Sequence, residues 1–383
     1  MAGRDELLAA VKARLERMAA TGDLSVTLEP SADVEARELG DILGTDLDLT
    51  ARFHLGLLYW NRYLARLPEE SAEDLNETVG MFLPCFVFGQ GVDLAVFPPE
   101  LAPVLADLAA PTAASWLAQA FGSADPALTS ATAALSRRIA DATPAGHQDR
   151  AARLNHLGTA LFGYAMANGS SADLSAAIDA YKAAVAACLA DDRNRAGYLG
   201  GLGNALRARF EQGGKMADLD EAVLACREAV ELAHADDPNV AMCLSNLGIV
   251  LRIRSAITGD RADLDAAIGA CRKAVEAAPP GDAALPGRLT NLANALLVRY
   301  DRTRDVADLN AAVEAAGSAV ATAPPGYGDL PAYLSNQAHA LMTRFKVTET
   351  LADLDNAIEA WRAAAGNLSA GHPTRMMILD RPG

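Results

Sequence analysis

Basic residues are in short supply: 33 lysines and arginines stand against 49 aspartates and glutamates, for a net charge of −16. That balance argues against a nucleic-acid partner, whose binding depends on clustered Lys and Arg. A protein or peptide partner, basic or mixed in charge, is easier to accommodate. No apolar run of about 18 residues is free of charge, so no membrane association is expected. The opening Met1-Ala2-Gly3-Arg4-Asp5-Glu6 is not a signal peptide, which makes the cytoplasm the expected compartment. Five cysteines in the whole chain fit it.

Catalytic patterns are equally scarce. Gly201-Leu202-Gly203 has the start of a dinucleotide loop, but the third glycine is missing and the site falls inside a helical pattern rather than after a strand. No histidines have zinc spacing, and no cysteine pair has the two-residue gap of a zinc knuckle. His156 and His339 lie in different columns of the pattern described below and read as satisfied or solvated side chains. No catalytic residue, metal or cofactor is therefore expected, and the chain reads as a non-enzyme. The alternative is an irregular pocket in the N-terminal region, where Tyr59, Trp60 and Cys85 concentrate. There Cys85 with His54 is the one conceivable nucleophile pair, and nothing in their spacing requires them to meet.

What is abundant is repetition. Ala-Asp-Leu occurs at Ala172-Asp173-Leu174, Ala217-Asp218-Leu219, Ala262-Asp263-Leu264, Ala307-Asp308-Leu309 and Ala352-Asp353-Leu354, at a constant spacing of 45 residues. A fixed period of this size marks a solenoid whose units bury their apolar faces on their neighbours. Nineteen positions before each Asp stands Leu154, Leu199, Leu244, Leu289 and Leu334, and twelve before stands Leu161, Leu206, Leu251, Leu296 and Leu341. Between them falls a small residue, Gly158, Gly203, Gly248, Ala293 and Ala338, where a second helix can approach closely. After the triad comes a branched column, Ile178, Val223, Ile268, Val313 and Ile358.

Apolar positions three, four and seven apart are helical, not period-two. Each unit is thus expected to hold two helices, in the second unit from about Arg195 to Phe210 and from about Asp218 to Leu232. Asp218 is placed to accept from the first amides of its helix, with Glu221 completing a capping box. Pro279-Pro280-Gly281 and Pro324-Pro325-Gly326 end second helices and turn the chain. Cys226 and Cys271 share a column with Tyr181, Ala316 and Trp361 and read as packed thiols rather than a metal or redox pair. The arginines at 209, 254, 299 and 344 form either an anion-binding ladder or, more plainly, partners for the triad aspartates.

Asn246-Leu247-Gly248, Gly203-Asn204-Ala205-Leu206 and Asn291-Leu292-Ala293-Asn294-Ala295-Leu296 resemble the first helix of a tetratricopeptide repeat. Asp218-Leu219-Asp220-Glu221-Ala222-Val223 resembles the start of its second. The unit is longer than that family's usual ~34 residues. Long units with an Arg-aromatic pair closing the first helix, as in Arg209-Phe210, Arg299-Tyr300 and Arg344-Phe345, are similar to the repeat arms of actinobacterial proteins that carry a caspase-like peptidase domain. The resemblance implies an all-α, right-handed superhelix of helical hairpins whose first helices line a concave groove. It implies a partner-binding groove at Asn204, Ile249, Asn294 and His339, with Arg207 and Arg252 beside them. Asn246, Asn291 and Asn336 match a position that ties adjacent units together. The expected function is a protein-binding scaffold; the alternative is a sensor or regulatory arm for a separate effector such as a caspase-like peptidase.

Two domains are expected: residues 1–145, a helical region with degenerate repeats, and 146–383, five regular units and the start of a sixth. In the first, Leu55 to Leu64 reads as a first helix, and Ser71-Ala72-Glu73-Asp74-Leu75 is the triad with one Glu inserted. Ala124-Asp125-Pro126-Ala127-Leu128 is a second worn copy. The region either extends the solenoid or is a separate helical domain joined by a linker from Pro98 to Pro111. At the other end Met376, Met377, Ile378 and Leu379 begin a first helix that Arg381-Pro382-Gly383 breaks. An apolar stub there points to a truncated chain or to an end that docks elsewhere.

Overall fold

The computed structural model describes residues 3–67, 69–89, 93–123, 125–189, 191–233, 239–324 and 328–367. Among them are sixteen α-helices, two short 3-10 helices and no strand. The chain forms two compact bodies, Met1–Cys188 and Leu189–Gly383. The boundary between them falls one regular unit after residue 145, where the periodicity sets in. The apolar stub from Met376 onward, and Pro325-Gly326, lie outside the described residues.

The first body contains α1 (Arg4–Thr21), α2 (Pro30–Leu43), α3 (Leu49–Ala65), α4 (Ala72–Phe88), α5 (Ala102–Ser123), α6 (Pro126–Ala142), α7 (Arg150–Asn168) and α8 (Ser171–Ala187). Its last six helices pack as hairpins, α3 on α4, α5 on α6 and α7 on α8. The inserted-Glu copy of the triad starts α4, and Arg62 Nε of α3 donates to Asp74 Oδ1 at 2.9 Å, both residues being buried. The worn copy at Asp125 caps α6, accepting from Ala127 N at 2.9 Å. The stretch from Pro98 to Pro111 is no linker. From Ala102 it is α5, and Leu101, Leu105, Ala106 and Ala109 are buried in a cluster with Phe82, Phe86 and Phe97.

The second body contains α9 (Arg195–Gly213), α10 (Met216–Leu232), α11 (Val240–Thr258), α12 (Arg261–Glu276), α13 (Leu285–Thr303), α14 (Val306–Thr322), α15 (Leu330–Thr348) and α16 (Leu351–Gly366). Each odd-numbered helix pairs with the next, so the architecture is an all-α solenoid of helical hairpins. Helix α11 is long and apolar enough to cross a membrane by length and composition. It is nonetheless the first helix of a repeat, half of it is buried, and it carries Arg252 and Arg254.

The apolar columns are the core of every unit. All ten leucines of the two leucine columns are buried, those at 206, 251 and 296 almost completely. Leu247 is only partly buried, because it lies about 40–60° round the helix from the two buried columns. Each first helix ends on a left-handed residue, in register: Gly169, Gly214 and Gly259, then Arg304 at φ 58° and Glu349 at φ 56°. Glycine adopts this conformation without the clash that a Cβ meets there.

The triad aspartate does not cap its helix, contrary to the expectation for Asp218 and Glu221. Helix α10 begins two residues earlier, with Lys215 at its cap and no side-chain cap bond. In register, Asp260 accepts from Ala262 N at 2.8 Å and Asp305 from Ala307 N at 2.9 Å. The triad carboxylates turn instead to the arginine column. Arg209, Arg254, Arg299 and Arg344 each grip their own unit's Asp218, Asp263, Asp308 and Asp353 through two parallel bonds of 2.6–3.0 Å. The third edge of three of these guanidiniums reaches the preceding second helix. Arg254 Nη1 donates to Asp220 at 3.3 Å, Arg299 Nη1 to Asp265 at 2.9 Å and Arg344 Nη1 to Asn310 at 3.4 Å. The ladder is a structural clamp within and between units.

Small and large residues alternate across each hairpin. A Cβ on Gly203 would lie 2.4 Å from Cys226 Sγ, and one on Gly248 equally close to Cys271 Sγ. Where the thiol is replaced by Ala316, the facing residue is Ala293. Gly203→Ala is expected to cost about 1–2 kcal/mol, since overpacking costs ~1–3 and the better helix former returns up to ~1. Adding Cys226→Ala rebuilds the Ala293–Ala316 pair of a later unit and should recover most of that loss. Urea melts of the two single variants and the double variant test this: no recovery in the double would show that the contact is not the cause.

Candidate partner-binding groove

In the second body the first helices pack directly on one another, α9 on α11, α11 on α13 and α13 on α15, and no comparable packing joins the second helices. Closer spacing on one side closes the array toward the first helices. Two of the three asparagines expected to tie units together do so. Asn246 Nδ2 donates to Gly200 O at 3.3 Å and Asn291 Nδ2 to Ser245 Oγ at 3.2 Å, each on the preceding first helix. Arg302 adds a link the sequence reading missed, donating to Ser255 O at 2.6 Å.

Three residues on from each tying position, or from its equivalent in α9, come the groove candidates. Asn204 on α9, Ile249 on α11 and Asn294 on α13 are partly buried, and His339 on α15 is exposed. Asn204 and Arg207 are engaged with each other: Arg207 Nη2 donates to Asn204 Oδ1 at 2.8 Å. Arg207 Nη1 donates to Glu211 Oε1 at 2.6 Å. Glu211 therefore belongs to the same cluster, and its four-residue spacing from Arg207 was the available signal.

Arg252 differs from every other arginine of this region. It is partly buried, and it makes no hydrogen bond or ion pair among the described residues. Burial pushes its guanidinium below the ordinary arginine value, Cys271 and Glu211 draw it back up, and Arg207 lowers it further. Hydrogen bonds bring Asn204, Arg207 and Glu211 together, and Arg252 is near enough to feel the charges of the last two. No bond joins Asn294 to that cluster among the described residues.

The column thiols Cys226 and Cys271 are buried. Burial pushes Cys226 and Cys271 up to about 12, so both are protonated at neutral pH. No group of three or more His, Cys, Asp or Glu able to hold a metal occurs among the described residues. Cys85 and His54 do not meet as a nucleophile pair. Cys85 Sγ donates to Leu49 O at 3.3 Å and burial pushes the thiol up to about 11, while His54 Nδ1 lies 2.7 Å from Thr50 O.

No protein-family model matches the chain, and no curated protein does. Among solved structures, a human IFIT1 dimer with m7Gppp-AAAA is 12% identical, covering 99% of this chain and 85% of that one at a TM-score of 0.42. Yeast Tom70 is 11% identical, over 98% of this chain and 91% of that one, at 0.30. The P58(IPK) TPR domain is 12% identical, over 97% and 98%, at 0.23. Values this low carry no argument about partner or activity. The solenoid stands on the helix pairing described above.

Proposed function

We propose that the chain is a non-enzymatic, cytoplasmic scaffold that holds a protein or peptide partner in the groove of its first helices. Arg252 is the observation that supports this best. The ladder arginines are each tied down by two carboxylate bonds, whereas Arg252 is partly buried and makes no ion pair or hydrogen bond among the described residues. A partly buried guanidinium in that state is set to take a carboxylate in bidentate fashion. Ile249 beside it offers apolar contact, and the Asn294 amide can pair with a partner's backbone. A partner of mixed charge suits both the net −16 and this one positive point.

Arg252→Ala should weaken retention of the partner by about tenfold or more, the worth of a hydrogen-bonded charge. The melting curve should stay close to that of the wild type, because no internal bond is lost. A pull-down from native lysate followed by titration of the recovered protein makes the measurement. Equal affinity of the variant would remove Arg252 from the site. Retention abolished by nuclease would instead make the partner a nucleic acid, which net charge alone speaks against. The narrower similarity to repeat arms of caspase-like peptidase proteins rests on the Arg-aromatic pairs. Under that reading the recovered partner is an effector whose activity changes on binding.

A further inference from the structure

A cavity of about 530 Å³ opens between α2, α3 and α4 in the first body. Its wall includes Arg62, which is 3% exposed. Two edges of this guanidinium are used: Nε donates to Asp74 at 2.9 Å and Nη2 to Asp33 at 2.8 Å. The third, Nη1, is buried and has no hydrogen-bond partner among the described residues. In the regular units the matching Nη1 of Arg254, Arg299 and Arg344 always finds an acceptor on the preceding second helix. Among the described residues none accepts from Arg62 Nη1, and Asp74 Oδ2 in the same wall is likewise buried without a hydrogen bond, held only by the Arg66 ion pair. A buried donor without a partner is rare in a native fold.

The same cavity has the opposite need at its rim. Asp41, Glu73 and Glu77 line it, are exposed, and make no ion pair among the described residues. The cavity's other cations are taken, Arg37 by Asp33 and Arg66 by Asp74 at 3.2 Å. The charge of Glu77 reaches inward far enough to help burial push the Tyr59 phenol up to about 12. The site thus lacks one hydrogen-bond acceptor at its floor and a cation at its mouth.

We propose that this cavity binds a basic amino acid, free or as a residue of a peptide. Its carboxylate or carbonyl oxygen accepts from Arg62 Nη1, and its cationic side chain is held by Glu73, Glu77 and Asp41. A simple amine leaves Arg62 unsatisfied, and a simple acid leaves the rim unpaired. The site is separate from the groove of the second body and does not depend on it.

Calorimetric titration of the full chain tests the assignment with four probes: L-arginine, a blocked tripeptide with arginine at its centre, agmatine and L-citrulline. L-arginine or the tripeptide should bind saturably with one site per chain, and which of the two binds tells free amino acid from peptide residue. Agmatine lacks the acceptor and citrulline the charge, so each should bind at least about tenfold more weakly than arginine. The double variant Glu73→Gln/Glu77→Gln should weaken binding by about tenfold while melting as the wild type, since neither carboxylate has an internal partner. Arg62→Lys should abolish binding, and the double variant decides the matter where Arg62→Lys fails to fold. Absence of saturation by both arginine and the tripeptide, an unchanged affinity in the double variant, or agmatine binding as well as arginine would each overturn the assignment.

Discussion

Leu251→Ala is expected to lower the free energy of unfolding by about 2–5 kcal/mol, the range for a buried leucine cut back to alanine. Leu251 is 1% exposed and belongs to a column whose members at 161, 206, 296 and 341 are all buried at equivalent places in their units. The surrounding side chains are themselves held by register, so the site has little freedom to collapse into the space left behind. The measurement is a urea melt of the variant beside the wild type. Leu247→Ala, three residues from the buried Leu244 on the same helix, should cost less because that side chain is only partly buried. Unit stabilities in a repeat array add to nearest-neighbour terms. The damage should therefore centre on the unit of α11 and α12 and its contacts with α9 and α13, which hydrogen exchange would resolve. A Leu251→Ala melt that overlays the wild type would sink the assigned register.

The fold was readable because the same contacts are rebuilt every 45 residues, so one apolar position appears as a column rather than as a single residue. Leu154 alone says little; five leucines in step, all of them buried, say that a helix face recurs. The triad aspartate was read less well. An Asp near a helix start fits both a cap and an ion pair. The choice depends on two facts that no column states: the second helix begins two residues before Asp218, and Arg209 on the first helix lies within 3.0 Å of it. The position-260 and 305 aspartates, which do cap, were hidden because Lys215 and Thr350 occupy the same column.

The site was legible only in outline. Which helices line a groove depends on how neighbouring units approach, and that came from the likeness to a repeat family rather than from any one residue. Within the groove, Asn204 and Arg252 look alike as polar residues on a first helix. The structure separates them by their partners, since Asn204 accepts from Arg207 while Arg252 makes no hydrogen bond or ion pair among the described residues. The Arg62 cavity could not be read at all. It is built from α2, α3 and α4, where no period holds, and its defining feature is a donor left without an acceptor.

Asp263→Ala is the second large effect. Asp263 is buried and takes both bonds from Arg254, at 2.6 and 2.8 Å. Removing one partner of a fully buried pair costs ~3–5 kcal/mol because the other is left uncompensated. Here Arg254 keeps Asp220 and is 20% exposed, so water and the second carboxylate absorb part of the loss and about 2–3 kcal/mol is expected. The hydrogen bonds from Arg254, and then its charge, hold the Asp263 carboxyl below the usual carboxylate range, and Arg344 does the same for Asp353. A carboxyl whose folded-state value is depressed contributes stability that is full above its unfolded value, near ~3.9, and is lost as pH falls through the folded one. The stability gap between wild type and Asp263→Ala should therefore be constant at neutral pH and narrow on the acid side, as the wild-type carboxyl is protonated and releases its arginine. Urea melts across that range make the comparison. A gap that persists undiminished below the folded value would show that packing around Asp263, and not the clamp on Arg254, is what the substitution removes.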